Sequence, residues 1–529
     1  MIILFLLLTS LTGDTTPWEG FPEADALRYE IDLTADIASE KVQLQVNYVF
    51  RADAALSQVR LHAKAGKDWQ MSFQDSQGVD MSFTRSSEDV IAVELPSEVP
   101  AGQEFTFSAE LSGTPPDGLY FRKNRQGKMV MFTDHFAARA RGWLPCEDAP
   151  DDRAAFHLQL TVLPQPGVKQ LDAIGTGDWH GEPLPTGQAA KGSQRWVGHT
   201  QADITSYLFS FAVGPYVRLA EKGDDRLIPH FVFRADKPKA RRGLKHHADW
   251  MTWMEDRFGK YAWAKYCVVQ VPTQWGGMEN PGNTWVMERL FDGPDHGVGT
   301  LAHEFVHQWF GDAVGYGTWQ DAWLSEGFAT YFGPWLHELS GGPTLAAAMR
   351  AAKKGWLQAR IARSRPIRWD GFENPDELFG TSAPNTYKKG AWVLHMLRGQ
   401  MGDEAFFEGL RLYAERKKGL PAKTLDLRKA CEEAHGSDLE WFFDQWLNRP
   451  GCPELYFDWS GSGVTVTQAQ AVEAYRFDLC LSWKTADGSR HEGVFEVNAD
   501  ETVIELPADY RTPIVDPHGQ LLWVKARLR

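Results

Sequence analysis

His303 and His307, with Glu304 between them, lie in the run His303-Glu304-Phe305-Val306-His307. On a helix, residues four apart project from one face, so both imidazoles can reach a single metal ion. The glutamate between them stands at the flank of that site, where an attacking water would sit. With 16 histidines in the chain, the bare spacing also fits a helix carrying two ordinary surface histidines. Glu326 is the discriminating addition. It follows His307 after 18 intervening residues, inside the helix-like segment 319–332. Two imidazoles and one carboxylate leave a fourth tetrahedral position open, the ligand set of a catalytic rather than a structural zinc site. A donor set without thiolates fits one Zn2+ per chain.

These residues need a scaffold, and the sequence indicates one. Residues 42–50 alternate Val42, Leu44, Val46, Tyr48 and Phe50 against Gln43, Gln45 and Asn47, and residues 156–162 repeat the pattern. Strict alternation marks half-buried strands. From Pro238 to about Asn448 the pattern becomes helical, except for the β-branched run 266–272, which reads as a strand. Asn448-Arg449-Pro450-Gly451 ends the last helix, and alternation returns in 477–483. The expected fold is multidomain α+β. A signal-like segment spans 1–13, an antiparallel β domain 14–222, a catalytic α/β domain 223–449, and a small C-terminal β-sandwich 450–529.

Three further segments carry a family resemblance: Gly276-Gly277-Met278-Glu279-Asn280, 322–331 (AWLSEGFATY) and 387–397 (YKKGAWVLHML). Together with HEFVH, HQWFGD (307–312), 140–156 and 206–214, they make the chain resemble the aminopeptidase N family of zinc metallopeptidases, the group that includes leukotriene hydrolase. The resemblance covers most of 25–450 and implies a thermolysin-like catalytic domain. It implies zinc ligation by His303, His307 and Glu326, with Glu304 as the general base. Tyr387 would stabilise the oxyanion, and Glu279 would hold the substrate's α-amine. Gly276, Gly277, Met278 and Asn280 would line an extended peptide, whose N-terminus must be free.

Two features depart from the family pattern. Phe136 occupies the first-domain position where many members carry a second amine-binding Gln or Glu. Asp134, two residues earlier, is the candidate substitute. The expected small C-terminal β-sandwich departs from the large helical C-terminal domain of many relatives. Asp312 and Asp321 are candidate partners for the zinc-binding histidines, and His296, His337 and His395 read as structural. A thermolysin-like endopeptidase, an epoxide hydrolase and a non-catalytic zinc-binding scaffold are the alternative readings.

Composition bounds the rest. The chain has 529 residues, 43% hydrophobic and 24% charged, with a net charge of −15. Such a chain builds several cores, and it offers no basic domain for a nucleic-acid partner. No internal run approaches the ~20 apolar residues of a membrane span. Residues 2–8, IILFLLL, read as the core of a secretory signal, which would export the protein to periplasm or medium; a spurious leader would leave it cytoplasmic. The five cysteines are widely spaced, which suggests buried free thiols with at most one bridge.

Overall fold

The computed structural model describes residues 18–526 apart from 88, 166, 169 and 185–189; the signal-like segment lies outside the described residues. The alternating segments fold as strands with the apolar set inward. In Lys41–Ala52, Val42, Leu44, Val46, Tyr48 and Phe50 are all buried, and the glutamines between them are exposed. This strand is fourth from one end of an eight-stranded sheet, between Ala24–Asp36 and Glu104–Gly113.

The expectation of an antiparallel domain needs one correction. Ala24–Asp36 pairs in parallel with Ala155–Val162, in the register Arg28↔Ala155 to Ala35↔Val162. A parallel neighbour requires a long crossover, and the rest of the domain's first half supplies it. All other pairings of this sheet are antiparallel. A three-stranded and a four-stranded sheet complete the N-terminal β region.

The catalytic region is built on five strands in the order Val217–Leu219, His230–Val232, Cys267–Val271, Asn283–Met287, Gly277–Met278. Its first strand precedes the change of character near Gly223, so the chain enters this sheet earlier than composition suggests. The strand Cys267–Val271 is buried on both faces, which explains why its residues are apolar apart from Gln270, whose amide is hydrogen-bonded. Cys267, Val269 and Val271 pack into the core shared with the N-terminal domain, while Val268 joins the core beneath the helices. Among the described residues, Gly277–Met278 is the edge strand, paired only with Asn283–Met287.

The helices His247–Phe258, Val298–His307, Trp323–Leu339, Leu345–Gln358 and Gly390–Met401 cover one face of this sheet. Their core runs on into the C-terminal region, where a four-stranded and a three-stranded sheet enclose Leu455, Val466, Leu479 and Leu481. Among the described residues, no helix is long and apolar enough to cross a membrane. The five cysteines are all free, four of them buried.

Candidate active site

The helix Val298–His307 carries the two histidines one turn apart, and the helix Trp323–Leu339 crosses it with Glu326 in its first turn. Small residues permit the crossing. A Cβ on Gly333 would lie 2.9 Å from the Cα of His303. A Cβ on Gly327 would lie 3.0 Å from Gly390, whose helix follows Tyr387. Side chains at these glycines would push apart the three segments that build the site.

The donor atoms converge. His303 Nε2 lies 3.1 Å from Glu326 Oε2 and 3.2 Å from His307 Nε2, and His307 Nε2 lies 3.3 Å from Glu326 Oε2. Tetrahedral zinc with ligands at about 2.0–2.1 Å separates them by roughly 3.3 Å. The His307 tautomer also fits. Its Nδ1 faces the Phe310 carbonyl at 3.1 Å and Ser325 Oγ at 2.9 Å. A proton on Nδ1 donates to that carbonyl and leaves the Nε2 lone pair free to coordinate. The expected partners were Asp312 and Asp321, and neither touches a histidine. Asp321 accepts from Thr318, Arg368 and Thr424, and Asp312 from Gln308.

Another His/Glu group fails the same test. Glu221 accepts from His230 Nε2 and His247 Nδ1, each at 2.9 Å. The backbone N–H of Val268 donates to His230 Nδ1, so His230 must carry its proton on Nε2 and has no lone pair there for a metal. That trio is a hydrogen-bonded group in which Glu221 is the shared acceptor. Cys480, Glu492 and His518 also approach one another in the C-terminal region, with Glu492 and His518 exposed.

Glu304 and Glu279 flank the triad; their carboxylates and His307 lie within 4.8 Å of one another. A Cβ on Gly277 would collide with the Glu304 carboxylate, so the glycine of the edge strand is what gives this side chain room. Burial and the carboxylates of Glu279 and Glu326 push Glu304 well above the usual carboxylate range. Burial also raises Glu279. Burial opposes a charge on His307, yet Glu279 and Glu326 outweigh it and lift its pKa to about 10. Burial would raise Glu326 too, but His307 and His303 hold it well below its ordinary value. Among the described residues no lysine or arginine pairs with these three carboxylates. The cluster is a buried concentration of negative charge that calls for cations.

Tyr387 sits in a single π-helical turn, Asn385–Lys389, a local irregularity frequent at functional sites. Its hydroxyl donates to Glu326 Oε1 at 2.7 Å, and its ring stacks on His303. Asn385 pins the turn. Its Nδ2 donates to the carbonyls of Ala362, Arg365 and Pro366, and its Oδ1 accepts from Trp356.

Gln308 was not singled out from the sequence, although it directly follows the second histidine. Its Nε2 donates to the backbone carbonyls of Glu279 and Asn280, and its Oε1 accepts from Gly282 N–H and Tyr261. It therefore ties the histidine helix to the segment bearing Glu279. A buried amide one residue past a metal motif was the available signal.

Asp134 does line the cleft with Gly276, Gly277, Met278 and Glu279. Both its oxygens are already engaged, however, by Arg139 at 3.2 Å and Thr273 Oγ1 at 3.2 Å. An amine there would share the carboxylate with that guanidinium. Phe136 packs edge-on against Phe379, and Asn280 lies buried beside Glu279.

Comparison with known proteins agrees with this architecture. Residues 242–446 match the Peptidase family M1 domain, and residues 25–166 match the Peptidase M1 N-terminal domain. Tricorn protease-interacting factor F2 of Thermoplasma volcanium is 28% identical over 395 residues, covering 69% of this chain and 46% of that protein. Aminopeptidase N of Lactococcus lactis subsp. lactis is 26% identical over 447 residues, 78% of this chain and 50% of its own. Aminopeptidase A of Gloydius brevicauda is 24% identical over 521 residues, with 88% and 51% covered. The chain spans about half the length of the curated relatives it matches.

Proposed function

Because the chain belongs to the M1 aminopeptidase family, we propose that it is a zinc-dependent aminopeptidase that hydrolyses the first peptide bond of peptides with a free N-terminus. The observation that carries this reading is charge. Glu279, Glu304 and Glu326 bring three carboxylates to a buried cleft, with His303 and His307 against Glu326 and no lysine or arginine partner among the described residues. A divalent cation and one substrate ammonium supply three positive charges. An endopeptidase substrate would bring no ammonium.

His303, His307 and Glu326 would hold the zinc. Zinc there supplies Lewis acidity for the scissile carbonyl and for water. Glu304 accepts the proton of the attacking water and returns it to the leaving amine. Tyr387, with its hydroxyl already at Glu326, turns that donor to the oxyanion of the tetrahedral intermediate. Glu279 binds the α-amine and so fixes cleavage one residue inward. The peptide backbone adds to the open edge of Gly277–Met278 in strand fashion. The apolar run 2–8 supports action outside the cytoplasm.

Tyr387→Phe keeps the ring on His303 and removes only the hydroxyl. The expected outcome is a kcat lower by about 10²–10³-fold with KM little changed, measured on an aminoacyl anilide. A loss of less than about threefold would take Tyr387 out of the reaction.

The reading as a whole is tested on one short peptide, free and N-acetylated, with zinc-loaded protein. Cleavage of the free form alone, releasing residues in order, is expected. Cleavage of both at internal bonds would make the protein an endopeptidase. Glu279→Gln should lower kcat/KM on the free peptide by about 10–100-fold, the loss of one charged hydrogen bond.

A further inference from the structure

Among the described residues, the C-terminal region contributes nothing to the lining of the cleft, yet its three-stranded sheet gathers three side chains of metal-ligating type. The strand Phe477–Lys484 runs in the middle, between Arg490–Val497 and Arg511–Val515. Its inner face buries Phe477, Leu479 and Leu481, so the alternate residues Cys480 and Ser482 point to the outer face. Cys480 pairs opposite Val494 and Ser482 opposite Glu492. Glu492 is therefore the diagonal neighbour of Cys480 on that outer face. The third side chain arrives from a turn. The backbone N–H of Asp516 donates to the Cys480 carbonyl, and the Asp516 carboxylate accepts from Gln520 N–H, Leu521 N–H and the Trp523 indole. This anchored turn carries His518 over to the far strand, where its Nε2 lies 3.0 Å from Glu492 Oε2.

The sulfur of Cys480, a carboxylate oxygen of Glu492 and a ring nitrogen of His518 all lie within 4.8 Å of one another. Ligands of one tetrahedral zinc stand roughly 3.3–3.6 Å apart. Small rotations of Glu492 and His518, both exposed, close that difference. The tautomer test that His230 fails is passed here. Among the described residues nothing donates to His518 Nδ1, so the ring proton is free to move there and face water, leaving the Nε2 lone pair for a metal. Local charge also favours a cation. Burial and the carboxylates of Glu492 and Asp516 raise the Cys480 thiol. A bound ion reverses that pressure, and the thiol proton leaves to solvent.

We propose that Cys480, Glu492 and His518 form a divalent-cation site outside the catalytic cleft, with Zn2+ as its ion and water at the fourth position. Thiolate and imidazole donors select zinc over magnesium or calcium. All five cysteines are free, so no disulfide competes for this sulfur. The ion ties the turn after Arg511–Val515 to the other two strands of the sheet and takes no part in the reaction.

Cys480 is the one cysteine of the five that is not buried, which gives the site its own readout. The full chain is freed of metal, and the reaction of its thiols with a chromogenic disulfide is followed with and without zinc. One thiol per chain should react, and zinc should slow that reaction by about tenfold or more. His518→Ala should keep the fast reaction and need at least about tenfold more zinc for the same protection. His303→Ala, which removes a ligand of the cleft, should leave the protection unchanged. In parallel, the zinc-equilibrated wild type should hold one ion more per chain than Cys480→Ser, with kcat equal in the two. Equal zinc content, or protection as strong in His518→Ala as in the wild type, overturns the site. Protection intact in a chain without peptidase activity supports the site and counts against the aminopeptidase reading alone.

Discussion

Glu304→Gln is expected to lower kcat by about 10²–10⁴-fold, the ordinary share of a general base, with zinc still bound at one ion per chain. The substitution suits the site. The side chain is 6% exposed and lies against Gly277, where only a glycine leaves it room, and glutamine has the same shape. It cannot accept a proton. The ligand atoms of His303, His307 and Glu326 are untouched, so the metal content read by elemental analysis should equal that of the wild type. Two electrostatic effects set the poise of the native carboxyl. Burial and its neighbours Glu279 and Glu326 push its pKa up, and a zinc ion held by His303, His307 and Glu326 would pull it down. A base poised between these pressures would transfer protons near neutral pH. A variant that keeps its zinc and more than a tenth of the wild-type kcat would remove Glu304 from that role.

The parts of this site that the sequence made legible are those set by local periodicity. The i, i+4 spacing puts His303 and His307 on one helix face whatever the rest of the chain does. The strand alternation at 42–50 required only that one face be buried. The parts that were not legible depend on a chain reversal or on a distant segment. His307 finds the Phe310 carbonyl because the chain turns back at Gly311, where φ is +132° and a Cβ would meet Ser325 Oγ at 2.6 Å. From spacing alone, the nearby acids Asp312 and Asp321 were the better candidates, but each is claimed by a group remote in sequence or by Gln308. Asp134 read as a spare carboxylate because its partners, Arg139 and Thr273, are brought to it by the turn after Met129–Thr133 and by the catalytic sheet. The parallel pairing of Ala24–Asp36 with Ala155–Val162 likewise depends on a crossover that no local pattern announces.

Glu326→Ala is expected to abolish activity by a different route, through the metal. Outer partners of zinc ligands are worth about 10–100-fold in affinity, and a directly bound carboxylate should be worth more than that. Competition against a chelator of known affinity should therefore show zinc held at least about 100-fold more weakly, with turnover lost in proportion at low free zinc. The geometry sharpens the comparison. Glu326 Oε2 sits against both histidines while Oε1 accepts from Tyr387, so the same change frees the tyrosine. Excess zinc should refill the site to some extent and still leave kcat depressed, because the phenol has lost its anchor. Among the described residues, the one competing ligand set in the cleft is Glu279, Glu304 and His307, whose donor atoms also approach within 4.8 Å of one another. Under that arrangement Glu326→Ala would keep wild-type zinc affinity and Glu304→Gln would lose it, the reverse of the pattern expected here. The two variants measured side by side therefore decide which carboxylate binds the metal and which is left to move the proton.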